Sequence, residues 1–166
     1  MRSGPQSLHA AAAAWGKPAR PAPKVLIVDD DVLSLMLLET ILASFGAVVA
    51  TASRGVEALE LLGNHAFDLL LLDVRMPDMS GLELAAAVRS TPGYNRAVPI
   101  VAVTGETPKS LAEYAALGFD GGLEKPISFG AMRSCLERWT AERPDGEAAQ
   151  GSRSFAPAQP PTRLIC

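Results

Sequence analysis

The sequence predicts an α/β protein in which a parallel sheet of five strands is covered by helices on both sides. Two observations indicate this class. Two continuous apolar runs, Val25–Val28 and Leu69–Leu72, each lead directly into aspartate, as expected of strands buried on both faces. Strand and helix patterns also alternate five times between residues 24 and 142, which is typical of parallel sheets with crossover helices.

The predicted strands are short segments bounded by turn or helix signals. The last of them is rich in glycine and the others are mainly apolar. In chain order, they are Lys24–Val28, Ala47–Thr51, Phe67–Leu72, Val98–Val103 and Gly121–Glu124.

The first helix is predicted over Val32–Phe45, with Gly46 ending it. Apolar residues at four-residue steps predict the face that this helix buries. The residues of that face are Leu33, Leu37, Ile41 and Phe45. Asp31, directly before the helix, is interpreted as its N-cap and not as a metal ligand.

The other helices are predicted from their N-terminal signals. Ser53 and Ser128 are expected to cap the second and fifth helices. Ser80 forms a capping box with Glu83 at the third, and Thr107-Pro108 begins the fourth. The apolar residues at helical spacing are Val56, Leu59 and Leu62 in the second helix and Met132, Leu136 and Trp139 in the fifth.

Composition limits the classes of function. A net charge of −3 argues against a nucleic-acid partner, and no apolar stretch approaches the ~20 residues of a membrane span. Two distant cysteines fit a reducing, cytoplasmic compartment. Residues 1–23 are expected to be a disordered Ala/Pro leader and not a signal peptide, and residues 143–166 a disordered tail. One folded domain, residues 24–142, remains.

Polar residues follow the predicted strands at one edge of the sheet. Asp29 and Asp30 follow the first strand, and Asp73 follows the third. Thr104 and Lys125 follow the fourth and fifth. Ligands of open parallel sheets bind at this edge. Crowded carboxylates repel one another, so the pattern predicts a bound divalent cation.

These side chains suit phosphoryl transfer. Asp73 is the candidate nucleophile, which would form an aspartyl-phosphate, and Asp30 with Asp29 would hold Mg²⁺. Lys125 offers a compact positive charge to one phosphoryl oxygen, and Thr104 offers a hydrogen bond to another. Positioning and electrostatics supply most of the catalysis in this chemistry.

Four segments carry a family resemblance: VLIVDDD, LLLLDVRMPDMSGLEL, PIVAVTGETP and GFDGGLEKPI. In order and spacing they resemble the receiver domain of two-component response regulators, over residues 24 to about 142. The resemblance implies a flavodoxin-like fold with strand order 2-1-3-4-5. It also implies a phosphoacceptor, not an enzyme in the usual sense, that receives its phosphoryl group from a histidine kinase or histidine phosphotransfer protein. Phosphorylation would then switch binding to an unidentified downstream protein.

The resemblance also assigns roles to the site residues. It implies Mg²⁺ held by Asp30, Asp73 and the backbone carbonyl of Arg75, with Asp29 acting through water. Asp73 is the phosphoacceptor, Thr104 the switch hydroxyl and Lys125 the site lysine. The last two segments are most similar to receivers of hybrid kinases or of phosphotransfer relays. Because only a tail follows the fifth helix, we expect no DNA-binding output domain.

One position departs from the family pattern. Receivers commonly place an aromatic residue three positions before the lysine, and it turns inward when the threonine moves. Gly122 stands there in this chain. The expectation is therefore that the switch uses the loop of residues 105–109 and the start of the fourth helix, while Phe119 packs in the core.

Two other functions compete with this interpretation. The first is a Mg²⁺-dependent phosphatase or phosphotransferase with an aspartyl nucleophile. Such enzymes typically have a second aspartate two residues after the nucleophile, whereas this chain has Arg75. The second is a degenerate receiver that only docks partners, against which the intact set of acids, threonine and lysine argues.

Overall fold

A computed structural model describes residues 21–105 and 111–141. Its strands are β1 (Lys24–Val28), β2 (Val48–Ala52), β3 (Leu69–Asp73), β4 (Ile100–Thr104) and β5 (Gly121–Glu124). Its α-helices are α1 (Val32–Ser44), α2 (Gly55–Asn64), α3 (Gly81–Ser90), α4 (Leu111–Ala116) and α5 (Phe129–Thr140). All strands are parallel, in the order β2-β1-β3-β4-β5. The predicted fold class and strand order are confirmed.

The sheet separates two apolar layers. Along β1, Leu26 and Val28 face the layer of α2, α3 and α4, whereas Val25 and Ile27 face the layer of α1 and α5. Successive side chains of a strand point to opposite faces. Because both faces are covered, the central strands are apolar at every position, which explains the uninterrupted runs in the sequence. None of the helices within the described part of the chain has the length and apolarity to cross a membrane.

Three predicted strands were placed one or two residues too early. β2 begins at Val48, β3 at Leu69 and β4 at Ile100. Phe67 and Val98 are buried but precede the ladder. The N–H of Phe67 donates to the side-chain oxygen of Asn95, 3.0 Å away. A buried apolar residue at the entrance of a strand has the same pattern as the strand itself, so periodicity extended the predicted strands too far.

The predicted inner face of α1 was wrong at Leu33 and Leu37, whereas Ile41 is buried and Phe45 packs against the core as predicted. Leu33 and Leu37 are 75% and 55% exposed. The buried residues of the helix are Leu35, Leu38, Ile41 and Leu42. Because leucines lie on both sides of α1, periodicity does not distinguish its faces, and packing on β1 and β2 decides which one is buried. Asp31 does cap the helix, as predicted, by accepting the N–H of Leu33.

The predicted cap of α2 was also wrong. Arg54 occupies the N-cap position without a side-chain cap bond, and the N–H of Ser53 donates to the carboxylate of Glu57. Val56 is 55% exposed, while Leu59 and Leu62 are partly buried against the core. The fully buried residues of this helix are Gly55 and Ala58. The caps of α3 and α5 are confirmed at Ser80 and Ser128. The predicted start of the fourth helix, residues 107–108, lies outside the described residues.

Candidate functional site

Three carboxylates meet at the C-terminal edge of the sheet. One oxygen from each of Asp29, Asp30 and Asp73 lies within 4.8 Å of the others. The strand register brings Asp29 and Asp73 together, because Val28 of β1 pairs with Leu72 of β3 and each aspartate is the next residue of its chain segment. Asp29 and Asp73 are buried, at 1% and 8% exposure, while Asp30 is exposed. The sequence-predicted acids are therefore brought together in one cluster.

Lys125 is the counter-charge of this cluster. Its Nζ lies 2.7 Å from Oδ2 of Asp29 and 3.6 Å from Oδ1 of Asp73. Its backbone N–H donates to the carbonyl of Thr104 at 2.7 Å, and its peptide bond to Pro126 is cis. The sequence pattern predicts Lys125 at the site but does not indicate that it pairs with Asp29. Adjacent acids at a strand end indicated an anionic cluster, without identifying which acid the lysine contacts.

The pKa values of Asp73 and Lys125 are both shifted by burial and by the charges of their neighbours. Burial raises the pKa of Asp73, and the neighbouring charges of Asp29 and Asp30 raise it further. The charge of Lys125 and the N–H of Arg75 oppose this shift without cancelling it. Burial acts to lower the pKa of Lys125, but the hydrogen bonds and charges of Asp29 and Asp73 together outweigh burial and the pKa is raised. The site therefore favours added positive charge.

Thr104 lies at the end of β4 and Arg75 just after β3, the two central strands that meet at Asp73. Thr104 ends β4, where it is 5% exposed and pairs in register with Glu124. Arg75 follows β3, its N–H donates to the Asp73 carboxylate, and its side chain is exposed. The role assigned above to the Arg75 carbonyl stays a prediction, as do the roles of Thr104 and the three aspartates.

Gly81 keeps the loop after β3 close to the strand. Its N–H donates to the carbonyl of Val74 at 3.1 Å. A Cβ at this position would lie 2.2 Å from the carbonyl oxygen of Asp73, a distance that no side chain allows. This close approach is the reason for a glycine eight residues after Asp73.

A five-stranded parallel sheet of this order, with acids, threonine and lysine at its C-terminal edge, defines a CheY-like receiver. The chain belongs to the response regulator receiver domain family, which matches residues 25–137.

Similar proteins include sensor kinases and solved receivers. The aerobic respiration control sensor protein ArcB of Escherichia coli K12 is 32% identical over 128 residues, which are 77% of this chain but only 16% of ArcB. Chemotaxis response regulator CheY4 of Vibrio cholerae is 34% identical, with 71% of this chain and 98% of CheY4 covered and a TM-score of 0.66.

A third relative was solved with a metal. The receiver domain of sensor histidine kinase PA1611 from Pseudomonas aeruginosa PAO1 is 25% identical, with a TM-score of 0.67. The match covers 74% of this chain and all of that domain. That structure has a magnesium ion coordinated in its active-site cleft.

Proposed function

We propose that Asp73 accepts a phosphoryl group from a phosphohistidine donor and that its phosphorylation switches binding to a downstream protein. The observation that carries the proposal is the Asp73 carboxylate itself. It lies at the end of a buried strand, 3.6 Å from the Lys125 ammonium and within 4.8 Å of two other carboxylates. A nucleophilic oxygen, a cation and further anionic ligands are the parts that phosphoryl transfer to a carboxylate needs.

The transfer is balanced without an added acid or base. An oxygen of Asp73 forms the new bond to phosphorus, and the phosphorus–nitrogen bond of the donor breaks. The electron pair of that bond stays on the imidazole nitrogen. Lys125 would stabilise the negative charge on the phosphoryl oxygens, and the Thr104 hydroxyl would donate a hydrogen bond to one of them.

The residues present fit Mg²⁺. Hard oxygen ligands in a compact cluster are what this ion prefers. Burial raises the pKa of Asp73, and the negative charges of Asp29 and Asp30 add to this shift. Asp29, Asp30, Asp73 and the backbone carbonyl of Arg75 would hold the ion. When bound, it neutralises phosphoryl oxygens during transfer. The magnesium of the PA1611 receiver supports this assignment.

A phosphatase function is less well supported. Its second aspartate would have to stand where the exposed Arg75 stands, and a guanidinium does not exchange protons near neutral pH. We therefore propose a signalling phosphoacceptor that assists its own phosphorylation, not an enzyme with a separate substrate.

An exposed apolar surface beside the site supports a protein as the donor. Four side chains on the first turns of α1, the α1 patch, follow directly after the acids. They are Val32, Leu33, Met36 and Leu37, exposed by 61%, 75%, 59% and 55%. Contiguous exposed apolar side chains mark interaction sites. A domain carrying a phosphohistidine could cover this patch and present its imidazole to Asp73.

Labelling of Asp73 tests the proposed reaction. Acetyl phosphate with Mg²⁺ should add one phosphoryl group to the full chain, and borohydride trapping followed by peptide mass spectrometry should locate it on Asp73. The matched control is Asp73→Asn, which should take no label. Label on another residue, or undiminished label in the control, would show that Asp73 is not the acceptor.

The role of the α1 patch needs a protein donor. Leu33→Asp should slow transfer from a phosphorylated histidine phosphotransfer protein at least several-fold while labelling by acetyl phosphate stays unchanged. Val48→Asp is the matched control, since Val48 is 55% exposed but begins β2, away from the acids. Equal slowing in both variants would remove the patch from the proposal.

A further inference from the structure

Gly122 leaves a space on β5 that a side chain of α4 fills. A Cβ at Gly122 would lie 3.1 Å from Cε2 and 3.3 Å from Cζ of Tyr114. Tyr114 is only 5% exposed. Its ring meets that of Phe119 edge to face, with centroids 6.1 Å apart. A side chain at position 122 and the ring of Tyr114 would therefore compete for one volume.

The Tyr114 ring shares a face of the sheet with Thr104. Ala102 pairs with Gly122 in register and belongs to the same apolar layer as Tyr114. Because side chains alternate along a strand, Thr104 points to the same face, about 7 Å further along β4. The ring thus lies against Gly122 of β5, on the face of the sheet to which Thr104, the residue expected to move towards a phosphorylated Asp73, also points.

We infer that Tyr114 couples the phosphoacceptor edge to α4 and takes the place of the aromatic residue that β5 lacks. This inference rests on the proposed function of Asp73. A shift of Thr104 changes the space above the ring, and a close-packed layer responds by adopting another packing. Since the ring is attached to α4, its displacement changes the position of this helix. The surface that a downstream protein would read is then that of α4.

Phe119 is the second aromatic residue near Gly122, and its packing holds it in place. Phe119 is 1% exposed, as predicted for a core residue, and its N–H donates to the carbonyl of Tyr114 at 3.0 Å. Phe119 is thereby fixed at the C-terminal end of α4. We expect Phe119 to stay in place while the Tyr114 ring changes its environment.

Fluorine NMR reads the ring directly. The chain has two tyrosines, so full-length protein labelled with 3-fluorotyrosine gives two resonances, and Tyr94→Phe assigns that of Tyr114. Mg²⁺ with beryllofluoride, a phosphoryl mimic, should shift the Tyr114 resonance in the wild-type chain and leave it in place in Asp73→Asn. Phosphorylation of Asp73 with an unshifted Tyr114 resonance would overturn this inference alone. Failure to phosphorylate Asp73 at all would overturn both proposals.

Moving the aromatic ring from position 114 to position 122 tests whether the two positions share one volume. Tyr114→Ala leaves a cavity and Gly122→Tyr adds a second ring, so each should lower the melting temperature. The double variant moves the ring from α4 to β5 and should recover most of the loss. Additive losses in the double variant would show that the two positions do not share one volume and would contradict the inference.

Amide exchange then locates the response. Beryllofluoride should change exchange at the amides of α4 in the wild type and in Tyr114→Phe, which keeps the ring. In the double variant, the change should move to β5. If Tyr114 has only a structural role, beryllofluoride should change amide exchange in α4 of the double variant as much as in the wild type. That result would overturn the inference, and it can be obtained even where Tyr114→Ala fails to fold.

Discussion

The ion pair between Lys125 and Asp29 is the most consequential contact at the scale of single residues. Asp29 is almost fully buried, and both of its oxygens are engaged. Oδ1 accepts the N–H of Asp31 at 2.9 Å, and Oδ2 accepts the Lys125 ammonium. A buried carboxylate left without its counter-charge is strongly destabilising. Lys125 therefore stabilises the fold as well as serving the proposed chemistry.

Lys125→Ala should lower the free energy of unfolding by about 3 kcal/mol in the absence of divalent cations. Urea denaturation in EDTA measures this loss. The matched control is Arg133→Ala, which breaks a pair with Glu137 whose side chains are 66% and 65% exposed and should cost only about 0–0.5 kcal/mol. Adding Asp29→Asn to Lys125→Ala should recover part of the loss, and similar losses in both single variants would contradict the argument.

At the scale of elements, the N-terminus of α3 shows how a local signal predicts structure. Ser80 accepts the N–H of Glu83, and the Glu83 carboxylate accepts the N–H and hydroxyl of Ser80. Both partners lie within one turn, so the sequence alone was sufficient to predict the capping box. The buried face of α1 was not predictable in this way. The helix has leucines on two sides, and its packing against the sheet, a non-local contact, decides which side is buried.

The capping box should make stability depend on pH. Hydrogen bonds from Ser80 lower the pKa of Glu83 below its ordinary value of 4.5. The folded state therefore favours the ionised form, and the contribution is present above pH 4.5 and lost as pH falls through the lowered value. Thermal melts should show that Glu83→Ala lowers the melting temperature at pH 7 and that the difference shrinks below pH 4.5. A difference that stays constant with pH would exclude this explanation.

At the scale of the whole molecule, separate elements are joined by a few polar side chains. Arg89 of α3 donates to the carbonyls of Arg96, Val98 and Gly118. It also pairs with Asp120, whose carboxylate accepts the N–H of Ile100. This network connects α3 to the segments that enter β4 and β5. The planar guanidinium, with five donors, suits such multiple contacts.

Mg²⁺ should stabilise the whole fold through the acid cluster. A ligand that binds only the folded state adds about 2.7 kcal/mol at a concentration 100-fold above its dissociation constant. Thermal melts of the wild type should therefore shift upward with Mg²⁺. Asp30→Ala removes an exposed member of the cluster and should abolish most of the shift. An equal shift in both proteins would place the bound ion elsewhere.

The fold class and the residues at the acidic edge were predictable from local sequence patterns, and the strand order was predictable from the family resemblance. Buried strands ending in aspartate leave a strong local pattern, and the parallel topology then brings their ends together. Strand starts were less accurate because buried entrance residues such as Phe67 have the same apolarity as the strands.

The partners of the polar groups and the face that α1 buries depend on tertiary packing. The pairing of Lys125 with Asp29 joins residues 96 positions apart, and the Arg89 network joins α3 to Asp120. The ring of Tyr114 fills the space at Gly122 because α4 packs on β5. Such contacts depend on where whole elements meet in space, and no periodicity within one element contains that information.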